Sequence, residues 1–219
     1  MAPFQNPFFA RLFQRIGDRN EARGQAELRR ELLAGLTGTV VEVGAGTGLN
    51  FPHYPDEVTK VAAVEPEPSL RSAARRAATH APVPVSLVAA TAGRLPFEDG
   101  SADAVVVSGV LCSVADPPAA LAEFARILAP GGELRFYEHV RSPVALRALI
   151  QDAADLVWPR LMGGCHPNRD ALAVMRAAGW QPVRWRELIF PDGAKVSVVA
   201  PRVLGVARPA SAPGEGGPG

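Results

Sequence analysis

Three glycines at alternate positions, Gly44, Gly46 and Gly48, follow an apolar run in the stretch VVEVGAGTGLN, Val40 to Asn50. A glycine turn after a buried strand lets a ligand approach main-chain amides with no Cβ in the way. Such a turn can cradle a dinucleotide pyrophosphate, a mononucleotide phosphate or the amino-acid end of S-adenosylmethionine. The spacing bears on the choice. The dinucleotide fingerprint GxGxxG needs its third glycine at position 49, which is Leu49; here Gly44-Ala45-Gly46-Thr47-Gly48 reads GxGxG. Glu42 lies within the strand end, two residues before the first glycine. A carboxylate aimed into the loop repels a pyrophosphate and suits an α-ammonium, directly or through water. The loop therefore favours S-adenosyl-L-methionine over a nicotinamide cofactor. Glu65 ends the next apolar run, with Pro66 after it, where a carboxylate can accept both hydroxyls of a ribose. That acid serves either cofactor.

These residues need a scaffold, and the chain alternates strand-like and helical patterns from Thr39 onward. Strands are expected over Thr39–Val43, Lys60–Glu65, Val83–Val88, Ala104–Ser108 and Glu133–Glu138, with helices near Ser69–His80, Pro117–Leu128 and Pro143–Trp158. This is the signature of βαβ units, an α/β class with a parallel sheet covered on both faces. A further helix, Asn168–Ala178, has Asn168 as its expected cap and Asp170 in its first turn. Two more runs, Trp180–Phe190 and Lys195–Val206, flank the turn residues Pro191-Asp192-Gly193, which makes the last strand antiparallel to its neighbour. A helix over Asn6–Ala34 carries Phe8, Phe9, Leu12, Phe13 and Ile16 on one face. The expected organisation is an N-terminal helical lid or cap over 1–35, a cofactor-binding domain over 36–207, and a disordered tail over 208–219.

The chain resembles the class I S-adenosylmethionine-dependent methyltransferases from about Leu36 to Val140. Glu42 to Gly48 looks like that family's first motif, Glu65 like its ribose acid, Arg94-Leu95-Pro96-Phe97 like the segment before strand four, and Leu128-Ala129-Pro130-Gly131-Gly132 like the turn before strand five. It is more closely similar to the group containing alkyl thiol methyltransferases. Asn50-Phe51 with Tyr54-Pro55, Val110 to Val114, Tyr137-Glu138-His139-Val140, and Gly164-Cys165 with Arg169-Asp170 carry that similarity. The resemblance implies a seven-stranded Rossmann-like sheet and methylation of a small, apolar acceptor, a thiol first, with lipid, quinone, amine or hydroxyl acceptors as related outcomes. It departs in two places. Animal members of the group carry an apolar membrane anchor where this chain has only the Phe8–Ile16 stripe, and Thr91, before Ala92, stands where many relatives have an aspartate near the adenine. A backbone contact at Thr91 and Ala92 remains open.

Methyl transfer from a sulfonium is an in-line displacement of a leaving group already activated by its charge, so the protein chiefly supplies alignment and a dry site. In open α/β sheets the reactive end of the ligand lies at the carboxyl ends of the strands, near Ser108 and Gly109 to Ser113 and near Glu138 and His139. His139 is the candidate base: a thiol with a pKa of about 8.5 is partly ionised at neutral pH, and an imidazole of about 6.5 can take its proton. A structural histidine at a strand end is the equal alternative. Cys112 reads first as a small buried residue and second as a substrate contact. Cys165 and His166 could line a substrate mouth, as could Phe9 and Phe13 of an apolar lid. The stripe reads as core or lid in preference to a membrane-surface helix.

Bulk properties narrow the classes further. The 219 residues suit one domain, and a formal net charge of +1 disfavours nucleic acid as a partner. The longest nearly apolar run, Ala104–Ala115, falls short of the roughly 20 residues of a spanning helix, and Arg11 and Arg15 interrupt the N-terminal apolar stretch, so export is not expected. Cys112 and Cys165 lie far apart with no CxxC or Cys/His cluster, so neither a disulfide framework nor a metal site is expected, and the cytoplasm is the default location. Two rivals remain: a nicotinamide oxidoreductase and a catalytically silent S-adenosylmethionine-binding module.

Overall fold

Val40–Val43 and Ala104–Val107 bury side chains on both faces in alternation, which is what a central strand between two helical layers requires. The computed structural model describes residues 15–17, 19–194 and 197–210. In β1 (Gly38–Val43), Val41 and Val43 enter one apolar cluster with Val105 and Val107 of β4 (Ala102–Ser108). Val40, Ala104 and Val106 enter the other. The first cluster is closed by α3 (Pro117–Ile127) and α6 (Ala171–Ala177) through Leu121, Phe124, Leu172 and Met175. The second is closed by α1 (Ala26–Leu33) and α2 (Pro68–Ala78) through Leu32, Leu33 and Ala74.

With β2 (Val58–Val64), β3 (Val85–Val88), β5 (Leu128–His139), β6 (Trp180–Ile189) and β7 (Pro201–Pro209), the sheet has seven strands in the order β3-β2-β1-β4-β5-β7-β6. The pairs among β1 to β5 are parallel, and β7 lies antiparallel between β5 and β6. The expected Rossmann-like sheet with an antiparallel last strand is thus present. The chain winds outward from β1 to β3, then returns to β4 on the other side of β1, so the strand order reverses where the ends of β1 and β4 meet at Val43 and Val107. That switch point is where open α/β sheets bind ligands.

Several boundaries differ from expectation for local reasons. Gly24, at φ +97°, breaks the expected continuous N-terminal helix into a π turn over Glu21–Gln25 and α1. Phe8, Phe9, Leu12 and Phe13 lie outside the described residues. β5 begins at Leu128 because Leu128 pairs with Ala102 before a register shift at the glycine pair. β7 begins at Pro201, later than Lys195, and continues through Arg208 and Pro209, which pair with Gln181 and Trp180. A backbone ladder holds those two residues despite their lack of apolar bulk. The helix expected over Pro143–Trp158 divides into α4 (Ala145–Asp155) and α5 (Trp158–Leu161). The cap of α6 is Asp170, which accepts from Ala173 N at 2.9 Å; Asn168 instead donates to Asp152. Among the described residues no helix is long and apolar enough to cross a membrane.

Candidate active site

The glycine loop leaves β1 with Gly44, Gly46 and Gly48 all at positive φ, 73°, 58° and 85°. Gly44 N and Ala45 N both donate to Val64 O, folding the loop over the end of β2. Side chains are excluded here: a Cβ on Gly44 would stand 2.5 Å from Val110 Cγ2, and one on Gly48 2.5 Å from Phe51 Cε2. The loop is therefore closely packed at Gly44 and Gly48, and Gly48 N donates to Ala45 O within it. Thr47 continues it, and Leu49 lies under the N-terminal segment, where a Cβ on Gly17 would come 2.9 Å from Leu49 Cδ1.

Two buried carboxylates hold this loop. Glu65 Oε2 accepts from Gly46 N at 2.8 Å and its Oε1 from Glu67 N at 2.9 Å. Burial raises its pKa against the pull of those two amides, and Glu67 adds to the rise. It is no solvated strand-end charge. Pro66 and Glu65 offer their carbonyls to Arg71, while Glu67 caps α2 by accepting from Leu70 N. Glu42 accepts from Asn50 Nδ2 at 2.9 Å and from Tyr54 OH at 2.8 Å. Burial lifts its pKa to about 7, opposed by Tyr54, Asn50 and the Arg29 charge. Arg29 Nη1 donates to Asn50 Oδ1 at 2.7 Å and Arg29 Nε to Glu21. Sequence reasoning placed Glu42 and Asn50 here but gave Arg29 no role; its position in an amphipathic helix reads as a solvated charge.

At the ends of β4 and β5 the structure assembles a second group. Ser108 is half-buried, and Gly109, at φ +71°, donates to Tyr137 O. Glu138 is wholly buried and accepts from Val110 N at 2.9 Å and Cys112 N at 3.1 Å; burial raises its pKa against those amides. Arg169 donates to Leu111 O and Val114 O, pinning the same loop from the other side. His139 Nδ1 then lies 3.4 Å from Cys112 Sγ and 3.4 Å from Cys165 Sγ, and the two sulfurs are 3.8 Å apart. The sequence separation of the cysteines hid this cluster, so the inference that they share no site is corrected. Cys112 is fully buried, and its thiol is pushed well up by the hydrogen bond to Cys165, by burial and by Glu138; the same hydrogen bond lowers Cys165, the more acidic of the pair.

His166 does not join the cluster. Its Nδ1 sits 3.0 Å from Asp155 Oδ1, while its backbone N donates to Cys112 O at 2.8 Å. Thr91 is exposed and its carbonyl closes a turn with Arg94 N; Ala92 is buried in the core. The expected Phe9 and Phe13 contacts lie outside the described residues.

The switch-point glycine loop, the two buried carboxylates and the half-buried imidazole together form the candidate site of this Rossmann-like fold. A family model for the methyltransferase domain matches residues 41–136. Thiol S-methyltransferase TMT1B of Rattus norvegicus is 34% identical over 175 residues, 77% of this chain and 70% of that protein. Thiol S-methyltransferase TMT1A of Homo sapiens is 31% identical over 211 residues, 92% and 84% of the two chains. A crystal structure of an S-adenosylmethionine-dependent methyltransferase from Thermotoga maritima superposes with a TM-score of 0.64 at 22% identity, covering 91% of this chain and 97% of that one, and shares the fold. The chain belongs to the thiol S-methyltransferase family of S-adenosylmethionine-dependent methyltransferases.

Proposed function

We propose that the chain methylates the sulfur of a small thiol acceptor, with S-adenosyl-L-methionine held along the glycine loop. The observation that carries this reading is the convergence, at one end of the sheet, of a loop closed to side chains at Gly44 and Gly48 with the buried carboxylates Glu42 and Glu65. The cofactor supplies a methyl group on a positively charged sulfur. Each Glu65 oxygen accepts one amide and keeps a lone pair with which to receive a ribose hydroxyl. Glu42, spent on Asn50 and Tyr54, reaches an α-ammonium with its remaining lone pairs or through water. Main-chain carbonyls of Gly44 to Gly48 would serve the amino-acid end, with the backbone at Thr91, Ala92, Ser108 and Gly109 as the further cofactor contacts of this reading.

The acceptor reacts as its thiolate. The cluster formed by His139 and the two cysteines is the group placed at the ends of β4 and β5 to ionise it. Similarity to two thiol S-methyltransferases supports sulfur as the accepting atom.

A panel of thiols, amines, phenols and phospholipids, assayed for S-adenosylhomocysteine release, tests the reading. Turnover with thiols is expected. Turnover confined to another acceptor class overturns sulfur as the target, and thermal stabilisation by NAD(H) but not by S-adenosylhomocysteine overturns the cofactor.

A further inference from the structure

Cys112, His139 and Cys165 come from three separate segments, yet their ligand atoms close a triangle with sides of 3.8, 3.4 and 3.4 Å. A tetrahedral zinc ion, with bonds of about 2.3 Å to sulfur and about 2.0–2.1 Å to imidazole nitrogen, sets its ligand atoms about 3.8 Å apart for a sulfur pair and about 3.5–3.6 Å for sulfur and nitrogen. We propose that these three side chains form a binding site for a zinc-class divalent cation, with the fourth position left for the thiol of the acceptor. The second half of this statement rests on the thiol-methylating reading; the first half does not.

The donor set matches the ion. Two thiolates and a neutral imidazole are the ligands a borderline-soft cation takes, and three protein ligands with one open position are the pattern of reactive zinc sites. Charge also balances: two thiolates cancel the dication, so the buried assembly is neutral where two bare thiolates would be costly.

The triangle is built: His139 sits in the sheet opposite Arg202, and both cysteine segments are fixed. Glu138 holds the amides of Val110 and Cys112, and Arg169 holds the carbonyls of Leu111 and Val114. The segment carrying Cys165 is pressed against the first: His166 N donates to Cys112 O at 2.8 Å, and Gly164, at φ +86°, comes so near that a Cβ would lie 2.6 Å from Ser113 O. Val110 in turn backs the glycine loop at Gly44, so the triangle stands one short loop away from the cofactor cradle. Cys112 is its closed corner, while half-buried His139 and Cys165, at 6% exposure, mark the side that opens.

Coordination would do the work of a base. An incoming thiol, on binding the cation, releases its proton to solvent and stays as a metal-bound thiolate, since a coordinated thiol is deprotonated outright. With Nδ1 on the metal, the imidazole keeps its proton on Nε2 and serves as a ligand.

The test is cobalt(II) titration of the reduced, chelator-treated full chain, read by absorbance, beside metal analysis of protein purified without chelator. Uptake of one cobalt per chain with thiolate charge-transfer bands is expected, with loss of that uptake in C112S and C165S. Adding a small acceptor thiol should strengthen the charge-transfer band. S-adenosylhomocysteine binding, followed by thermal shift, reports whether each variant is folded. Wild-type protein that binds S-adenosylhomocysteine but takes up neither cobalt nor zinc overturns the site and leaves the methyltransferase reading intact; so does isolation of a Cys112–Cys165 disulfide with no metal uptake after reduction. Stoichiometric metal with a charge-transfer band indifferent to thiol overturns the fourth-ligand role alone, and metal uptake without S-adenosylhomocysteine binding sustains the site while the cofactor reading fails.

Discussion

Arg29 Nη1 donates to Asn50 Oδ1 at 2.7 Å, and through Asn50 Nδ2 that contact reaches the buried carboxylate of Glu42. One guanidinium on α1, also paired with Glu21, thus ties the N-terminal segment to the end of the glycine loop. Arg29→Ala leaves buried Asn50 Oδ1 unpaired and should cost about 1–3 kcal/mol of stability. Cofactor affinity should fall with it, because Asn50 orients Glu42. Chemical denaturation and S-adenosylhomocysteine titration check both; Arg29→Lys should recover little, since a single ammonium does not reproduce the guanidinium fork that serves Glu21 and Asn50 together.

Glu42 predicts a pH signature. Its pKa is raised from 4.5 to about 7 in the folded chain, so the folded state holds its proton more tightly than the unfolded state. Stability from this group is full below pH 4.5 and is lost as pH rises through about 7, a decline of up to about 3 kcal/mol. Glu42→Gln should flatten that slope, measured by denaturation between pH 5 and pH 8. If the carboxylate receives the cofactor's ammonium, S-adenosylhomocysteine should bind wild-type protein more tightly as pH climbs through the same window, and the variant should lose that dependence. A pH-independent Kd in the wild type would remove Glu42 from the cofactor's contacts.

Glu65→Ala deletes the acceptor for Gly46 N and Glu67 N as well as any ribose contact, so stability and binding should both suffer. Glu65→Gln keeps the shape and one oxygen. It should fold, yet weaken S-adenosylhomocysteine by about 1–3 kcal/mol if the carboxylate receives ribose hydroxyls. Calorimetric titration of both variants separates a loop-holding role, which Gln partly restores, from a ligand-holding one, which it does not.

The contrast between the two halves of the site follows from how each is encoded. The cofactor half is local: an apolar strand, GxGxG and an acid at each of two strand ends are read within about thirty residues, and the sheet order places them together. The fold was legible for the same reason, since strands buried on both faces stand in the sequence as continuous apolar runs that alternate with helical patterns. The acceptor half is not local. Cys112, His139 and Cys165 converge because Glu138 accepts the amides of Val110 and Cys112 and Arg169 donates to the carbonyls of Leu111 and Val114, and both residues resemble surface charges when only the sequence is seen. The break at Gly24 and the split of α4 from α5 do not show in the apolar periodicity, because a glycine at positive φ interrupts the first and Pro159 stands in the first turn of α5 at the second.

Gly164 offers the sharpest probe of that convergent half. A methyl group at this position meets Ser113 O at 2.6 Å, a backbone atom that cannot swing aside, and the φ of +86° is itself unfavourable for alanine. Gly164→Ala should therefore push the Cys165 segment away from the Cys112 loop, at a cost of about 1–3 kcal/mol in stability. The glycine loop, which Gly164 does not touch, should still bind S-adenosylhomocysteine with near wild-type affinity. Turnover with a thiol should drop by at least about tenfold, because a misplacement of about 1 Å in a positioned site costs that much or more. Kinetics and cofactor titration on one preparation decide it: equal losses of binding and turnover would mean that the two halves are one cooperative unit, whereas lost turnover with retained binding locates the acceptor chemistry at the junction of Cys112 and Cys165.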